Sequence, residues 1–236
     1  MDTHNVPGHL LNERYDDRYF DVVDAIEEAR HIHISGARII ERLSAMPDGA
    51  RRLRIGETGF GAGRLLAALT GSLEEGGVTG ATVDYSSVEL YPVSAGRMER
   101  ILESFRGRLG RHIAALTDAY ARIDLSTPGW RCVSITGGYG VVNLSLYIGE
   151  AMEMVASLAE PCDAWFLDGH APQKNPDIWR RELLAAIGAK TVTGGTVTSF
   201  TVAGDVKRAL KAAGFAIEKL PGHGGKREVL RGILRR

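Results

Sequence analysis

The sequence predicts one α/β domain, a doubly wound and mostly parallel sheet closed by a C-terminal pair of strands. Three observations carry this. The 236 residues lie within the roughly 250 to 300 over which a single hydrophobic core keeps growing. A strand-like run enters a glycine turn and leaves it as a helical run within Arg52–Leu69. Short apolar runs then alternate with helical patterns to the end of the chain.

In order, residues 1–46 read as an N-terminal extension packing on the domain. Arg52-Leu-Arg-Ile-Gly-Glu57 reads as the first sheet strand, and Gly63-Arg-Leu-Leu-Ala-Ala-Leu69 as the helix after its turn. A second strand spans Ala81 to Leu90, and a helical pattern runs from Pro92 through Phe105. Asp163-Ala-Trp-Phe-Leu-Asp168 is an apolar run bounded by turn residues, as a buried parallel strand requires. Asn175-Pro176-Asp177 is a helix-start signal, a cap followed by proline and an acid at the positive end of the dipole, for a helix through about Ile187. Thr193 to Phe200 is β-rich, Asp205 to Ala213 helical, and Gly214-Phe215 turns into another strand before a last one at Val229 to Leu234. Between Trp130 and Tyr147, two β-rich runs around Thr136-Gly-Gly-Tyr-Gly140 interrupt this order as an inserted hairpin over 129–148.

Composition bounds the function. With 44% hydrophobic and 25% charged residues, the chain is neither a disordered tail, a coiled coil nor a collagen-like repeat. Its opening, MDTHNVPGHLLNERYDDR, holds no apolar core and no small-residue cleavage site, so neither export nor a membrane span is expected. Cys132 and Cys162 form no CxxC or His/Cys cluster, so no metal is expected and a reducing cytoplasm is the expected setting. Lys and Arg total 29 and Asp and Glu 29, a net charge of zero, which excludes a uniformly basic nucleic-acid coat. The charges are unevenly placed. From Lys207 onward there are nine basic and two acidic residues, a net of +7, which leaves 20 and 27, a net of −7, before it. That is either a solvated surface of mixed sign or a local RNA-facing patch.

Glu57-Thr-Gly59-Phe-Gly61-Ala-Gly63 lies directly between the first sheet strand and its helix, where glycines let backbone N–H groups approach a ligand. A tight turn that binds nothing is the competing reading. A dinucleotide fingerprint needs GxGxxG, whereas Arg64 follows Gly63 and an acid precedes the first glycine. This favours S-adenosyl-L-methionine over NAD, because that cofactor has no pyrophosphate and its amino and sulfonium cations welcome the Glu57 carboxylate. A second acid, for the ribose hydroxyls, falls at Asp84 or Glu89, and the strand pattern leaves both open.

Several segments together resemble one family. They are Tyr15-Asp-Asp-x-Tyr19-Phe20 with Glu27-Glu28, the Glu57 to Gly63 turn, Ser87-Val-Glu89-x-x-Pro92, Trp165-Phe-Leu-Asp168-Gly169 and Ala171-Pro172-x-Lys174-Asn-Pro-Asp-x-Trp179. Gly194-Gly195-Thr196, Phe200-Thr201-x-Ala203-Gly204, Ala213-Gly214-Phe215 and Gly225-Lys226-Arg227-Glu228 complete the set. The chain thereby resembles the tRNA 5-methylaminomethyl-2-thiouridine methyltransferases, meaning stand-alone MnmD and the methyltransferase part of MnmC. The string DGxAPxKNPDxW is the most specific part of the match.

The resemblance implies a class I S-adenosyl-L-methionine-dependent methyltransferase with a Rossmann-like sheet. It implies N-methylation of the 5-aminomethyl group of the wobble uridine, with the tRNA anticodon arm as partner. It selects Glu89 as the ribose acid and places Glu57, Gly59, Phe60, Gly61, Gly63, Glu150 and Asp168 with it around the cofactor. Glu150 stands where the family usually has Asp. The implied substrate set is Tyr19, Phe20, His170, Pro172, Lys174, Lys226 and Arg227, with Lys174 reaching for phosphate and Tyr19 and Phe20 either stacking on the base, covering the cofactor or simply buried. His170 replaces a Phe and Ala62 a Thr, and Gly36-Ala37 stands for the Gly-Asn that follows an N-terminal strand; His170 and Ala37 bear on the acceptor pocket. The bifunctional relatives carry an oxidising flavin domain. None is expected here, so a separate enzyme would supply the aminomethyl-uridine.

The donor methyl is already activated, so alignment and water exclusion are the main tasks. The acceptor amine is the difficulty, since with a lysine-like pKa near 10.4 only about one in a thousand is neutral at pH 7. Asp168, at a strand's carboxyl end, is the candidate to bind, orient and relieve that ammonium of its proton; the competing reading has it only bonding the turn that follows. Three other functions stay open. They are methylation of a small or protein amine, a non-catalytic RNA-binding relative and, disfavoured by the missing third glycine, an NAD oxidoreductase.

Overall fold

The computed structural model describes residues 11–12, 17–18, 25–223 and 227–235. A two-stranded antiparallel pair, β1 (Leu11–Asn12) and β2 (Asp17–Arg18), precedes α1 (Ala25–Ala29), a π-helical turn (Arg30–Ser35) and α2 (Ile39–Ser44). The sheet then alternates with helices: β3 (Arg52–Glu57), α3 (Arg64–Glu75), β4 (Ala81–Glu89), α4 (Ala95–Leu102), α5 (Arg106–Tyr120), β5 (Gly129–Gly137), β6 (Gly140–Ile148) and α6 (Ala151–Ser157). β7 (Cys162–Leu167), α7 (Arg181–Ala189), β8 (Thr191–Ser199), α8 (Gly204–Ala212), β9 (Phe215–Pro221) and β10 (Glu228–Leu234) follow.

Eight strands form one sheet in the order β5-β6-β4-β3-β7-β8-β10-β9. β6, β4, β3, β7 and β8 run parallel, and β10 pairs antiparallel with both β8 and β9, the closing strand pair that the sequence predicts. The chain winds outward from β3 through β4 to β6, then returns to the other side of β3 as β7. The crevice at the carboxyl ends of β3 and β7 is therefore the topological switch point, where open α/β sheets bind ligands.

β7 shows why these runs read as buried strands. Ala164 and Phe166 belong to one core, with α3 and α5, and Trp165 and Leu167 to the other, with α7 and α8. All four are at most 1% exposed. Gly56 on β3 is the complement of that packing, since a Cβ there would lie 2.4 Å from the Trp165 ring.

Four departures from the sequence reading have physical causes. The hairpin forms, but inside the sheet: β6 pairs in parallel with β4 over nine residues, so β5 and β6 extend the edge and interrupt nothing. The helix expected from Asn175 is a 3-10 turn at Pro176–Trp179, broken by extended backbone at Arg180 (ψ 148°) before α7, and Asn175 makes no side-chain cap. The stretch before Gly36 is helical rather than a strand. His31-Ile-His-Ile alternates like a strand, yet the π winding buries Ile32, His33 and Ile34 together. Finally, α5 continues where the helical pattern was ended at Phe105, with non-helical dihedrals at Leu109 marking a kink between Gly107 and Gly110. Among the described residues, no helix is long and apolar enough to cross a membrane.

Candidate active site

The glycine turn is tied to two neighbouring strands. Thr58 N donates to Phe166 O of β7 at 3.2 Å, and Phe60 N donates to Val88 O of β4 at 2.9 Å. Gly59 has no room for a side chain, because a Cβ would stand 3.0 Å from Asp168 O and 3.3 Å from Gly169 Cα. Thr58 Oγ1 donates to that same Asp168 carbonyl at 2.9 Å. The turn after β3 and the turn after β7 are thus in contact, and a cleft open at its mouth lies over them.

Glu57, Gly59, Phe60, Gly61, Glu89, Glu150, Asp168 and His170 all line this cleft. Glu57 is 1% exposed and accepts from Ser87 Oγ at 2.6 Å. Burial pushes its carboxyl up to about 8, opposed by the Ser87 hydrogen bond and reinforced by Asp168. Burial also raises Glu89, against backbone N–H donors that favour its charged form. Gly61 N donates to Glu89 Oε2 at 2.8 Å and Tyr91 N to Oε1 at 2.9 Å. Asp84 lies away from the cleft, paired with Arg52 at 2.6 Å and with Asn143 at 3.0 Å. The alternation of β4 had left both acids open; its last residue is the one that reaches the cleft.

Arg64, which the sequence reading used only to exclude a dinucleotide motif, is the principal cation here. Its Nη2 lies 2.9 Å from Asp168 Oδ2. Its place, first in the helix behind an acid-bearing turn, is the one signal that could have marked it. Asn175, Asp177 and Ile178 also line the cleft, so the segment read mainly as a helix start forms part of the wall.

Other predicted residues stand elsewhere. The Phe60 ring is 2% exposed and stacks on Tyr120 with centroids 5.7 Å apart, so it borders the cleft as a packing residue. Gly63 is outside the lining; at φ 73° it caps α3 against Leu116. Ala37 is 0% exposed in the core and lines no part of the cleft, which corrects the expectation that it shapes the acceptor pocket. Pro172 and Lys174 lie on the same loop but outside the lining, and Lys174 is exposed. Arg227 is exposed at the β9–β10 connection, where its carbonyl accepts from Gly222 N at 3.1 Å. Tyr19, Phe20 and Lys226 lie outside the described residues. Among the described residues no three His, Cys, Asp or Glu side chains gather as metal ligands would.

The donor set tests the cofactor. The Gly61 N–H, which a phosphate-binding turn would aim at its ligand, is engaged by Glu89. Five acids line the cleft, Glu57, Glu89, Glu150, Asp168 and Asp177, against one arginine. Such a cleft fits a cationic nucleoside such as S-adenosyl-L-methionine and disfavours a polyphosphate.

Comparison with known proteins agrees. The family described as S-adenosyl-L-methionine-dependent methyltransferase matches residues 114–235, just over half of the chain. The tRNA 5-methylaminomethyl-2-thiouridine biosynthesis bifunctional protein MnmC of Pseudomonas fluorescens (strain Pf-5) is 39% identical over 225 residues, covering 95% of this chain and 33% of that protein. The MnmC of Pseudomonas aeruginosa (strain PAO1) is 37% identical over the same shares. The chain therefore spans about a third of the length of these curated relatives. In fold, it is similar to the crystal structure of MNMC2 from Aquifex aeolicus, with a TM-score of 0.68 at 21% identity, covering 94% of this chain and 64% of that one.

Proposed function

The chain belongs to the S-adenosyl-L-methionine-dependent methyltransferase family, and from that premise we propose that it methylates the 5-aminomethyl nitrogen of the wobble uridine in tRNA. The product would be 5-methylaminomethyl-uridine, made in the cytoplasm on the anticodon arm. The observation that carries this is the meeting of Glu57, Glu89 and Asp168 in one cleft at the sheet's switch point. The choice of acceptor is supported by the names of the relatives, which are proteins of tRNA 5-methylaminomethyl-2-thiouridine biosynthesis.

When bound, S-adenosyl-L-methionine supplies a methyl group on a positively charged sulfur. Glu89, held by the Gly61 and Tyr91 N–H groups, presents its carboxylate to the ribose hydroxyls. Glu57 lies beneath the turn, where a ligand's ammonium would draw off its proton. Asp168 accepts a hydrogen bond from the acceptor amine, turns the nitrogen lone pair toward the methyl group and stabilises the cation that forms. His170, two residues further on, lines the acceptor side. Lys174, on the loop beyond β7, and Arg227, at the β9–β10 connection, are both exposed and supply phosphate contacts. An enzyme that exposes the aminomethyl group must act first.

The test is transfer of labelled methyl to tRNA that carries 5-aminomethyl-uridine, followed by nucleoside analysis. Label in 5-methylaminomethyl-uridine is the expected result. No product there, with product on a small amine or a protein lysine, would replace the RNA acceptor.

A further inference from the structure

Arg64 opens α3 directly behind the glycine turn. Its guanidinium is forked between two parts of the chain: Nη2 pairs with Asp168 Oδ2 at 2.9 Å, and Nη1 donates to Ala25 O, at the start of α1, at 2.7 Å. The two side chains of the ion pair are only 12% and 17% exposed. The Asp168 main chain has a separate anchor, the Thr58 hydroxyl on its carbonyl. Backbone and carboxylate are therefore held independently. Glu57 from β3 and Tyr85 from β4 act electrostatically on the same pair, and His170 and Asp177 line the cleft from the loop beyond β7.

We infer that Arg64 is a positioning residue for methyl transfer, holding the Asp168 carboxylate in one orientation and keeping it charged at the cleft wall. The inference deepens the proposed function and rests on its reading of Asp168. Losing the guanidinium removes the cation 2.9 Å from Asp168 Oδ2, which weakens the hold on the carboxylate's orientation and favours its protonation. Lysine restores the charge without the planar fork that spans Asp168 and Ala25.

Arg64→Gln and Arg64→Lys are compared with the natural protein in two measurements: steady-state methylation of aminomethyl-bearing tRNA, and titration of the Asp168 carboxyl by carbon NMR, assigned with Asp168→Asn. Arg64→Gln should lower kcat about tenfold or more, with the KM for RNA and the affinity for S-adenosylhomocysteine changed less than about threefold. Arg64→Lys should recover part of the loss, and Asp168 should titrate at higher pH in Arg64→Gln. A kcat within about twofold of the natural protein, or an Asp168 titration identical in all three proteins, overturns the inference. Should the natural protein leave aminomethyl-bearing tRNA unmethylated, the acceptor reading has failed and the NMR titration alone decides: a rise in Arg64→Gln upholds the role of Arg64, and no change overturns it. Should Arg64→Gln fail to fold, Arg64→Lys is judged alone, a fall in kcat at constant KM upholding the inference and natural kinetics overturning it.

Discussion

Glutamine in place of Glu57 should flatten the dependence of stability on pH. Burial raises the Glu57 carboxyl from the ordinary 4.5 to about 8. The folded chain then keeps a proton that the unfolded chain has released. Stability from this group is complete below pH 4.5 and is lost as the pH climbs through about 8. Inside that window each pH unit removes about 1.4 kcal/mol, so about 3 kcal/mol disappears between roughly pH 5.5 and 7.5. For 236 residues this corresponds to about 6 to 12 °C in Tm. Glu57→Gln keeps an oxygen to accept the Ser87 hydroxyl and has no such proton to release. Calorimetric Tm values of both proteins over this range cancel every other titrating group. The gap should widen steadily in favour of the variant as the pH rises. Parallel curves would mean that Glu57 is already ionised in the folded protein, and the picture of a near-neutral acid beneath the glycine turn would be wrong. S-adenosyl-L-methionine should reduce the slope of the natural protein, because an ammonium close to Glu57 favours its carboxylate.

Asp168→Asn should lower turnover on aminomethyl-bearing tRNA by about a hundredfold or more while S-adenosylhomocysteine binding, read by calorimetry, changes far less; equal losses in both would reassign Asp168 to cofactor binding. Gly56→Ala places a methyl group 2.4 Å from the Trp165 ring and should destabilise the fold by about 1 to 3 kcal/mol in urea denaturation; an unchanged midpoint would show that the two central strands can part at no cost. The basic surplus after Lys207 is partly paired within the β9–β10 hairpin, Arg231 with Glu218 and Lys219 with Glu228. If its remainder meets RNA, Arg227→Ala should reduce the salt slope of tRNA affinity by about one, whereas a slope near zero in the natural protein would leave the surplus as a solvated surface.

Local signals were enough for much of this molecule. The unit from Arg52 to Glu75 was legible because its strand, its glycines and its helix are contiguous, and Gly61 and Gly63 take the positive φ that the turn itself requires. The closing strands and α8 were readable for the same reason, being short periodic runs between turn residues. The π-helical turn was not, since the alternation of His31 to Ile34 satisfies a strand as well as a winding whose inner face takes three successive side chains. Nor was the join at Arg180, where a proline start and a helical run are separated by one extended residue.

The sequence by itself determined that an acid-flanked glycine turn opens a parallel α/β domain, and which acids compete to serve it. Only the tertiary structure shows which of the two β4 acids reaches the cleft. Glu89 reaches the cleft because β4 ends there, while Asp84 is spent on Arg52 and Asn143. The pairing of Arg64 with Asp168 spans 104 positions, a separation that no periodicity or spacing encodes. It arises because the chain reverses its winding at β3, which sets the end of that strand beside the end of β7 and brings together charges that composition could only count.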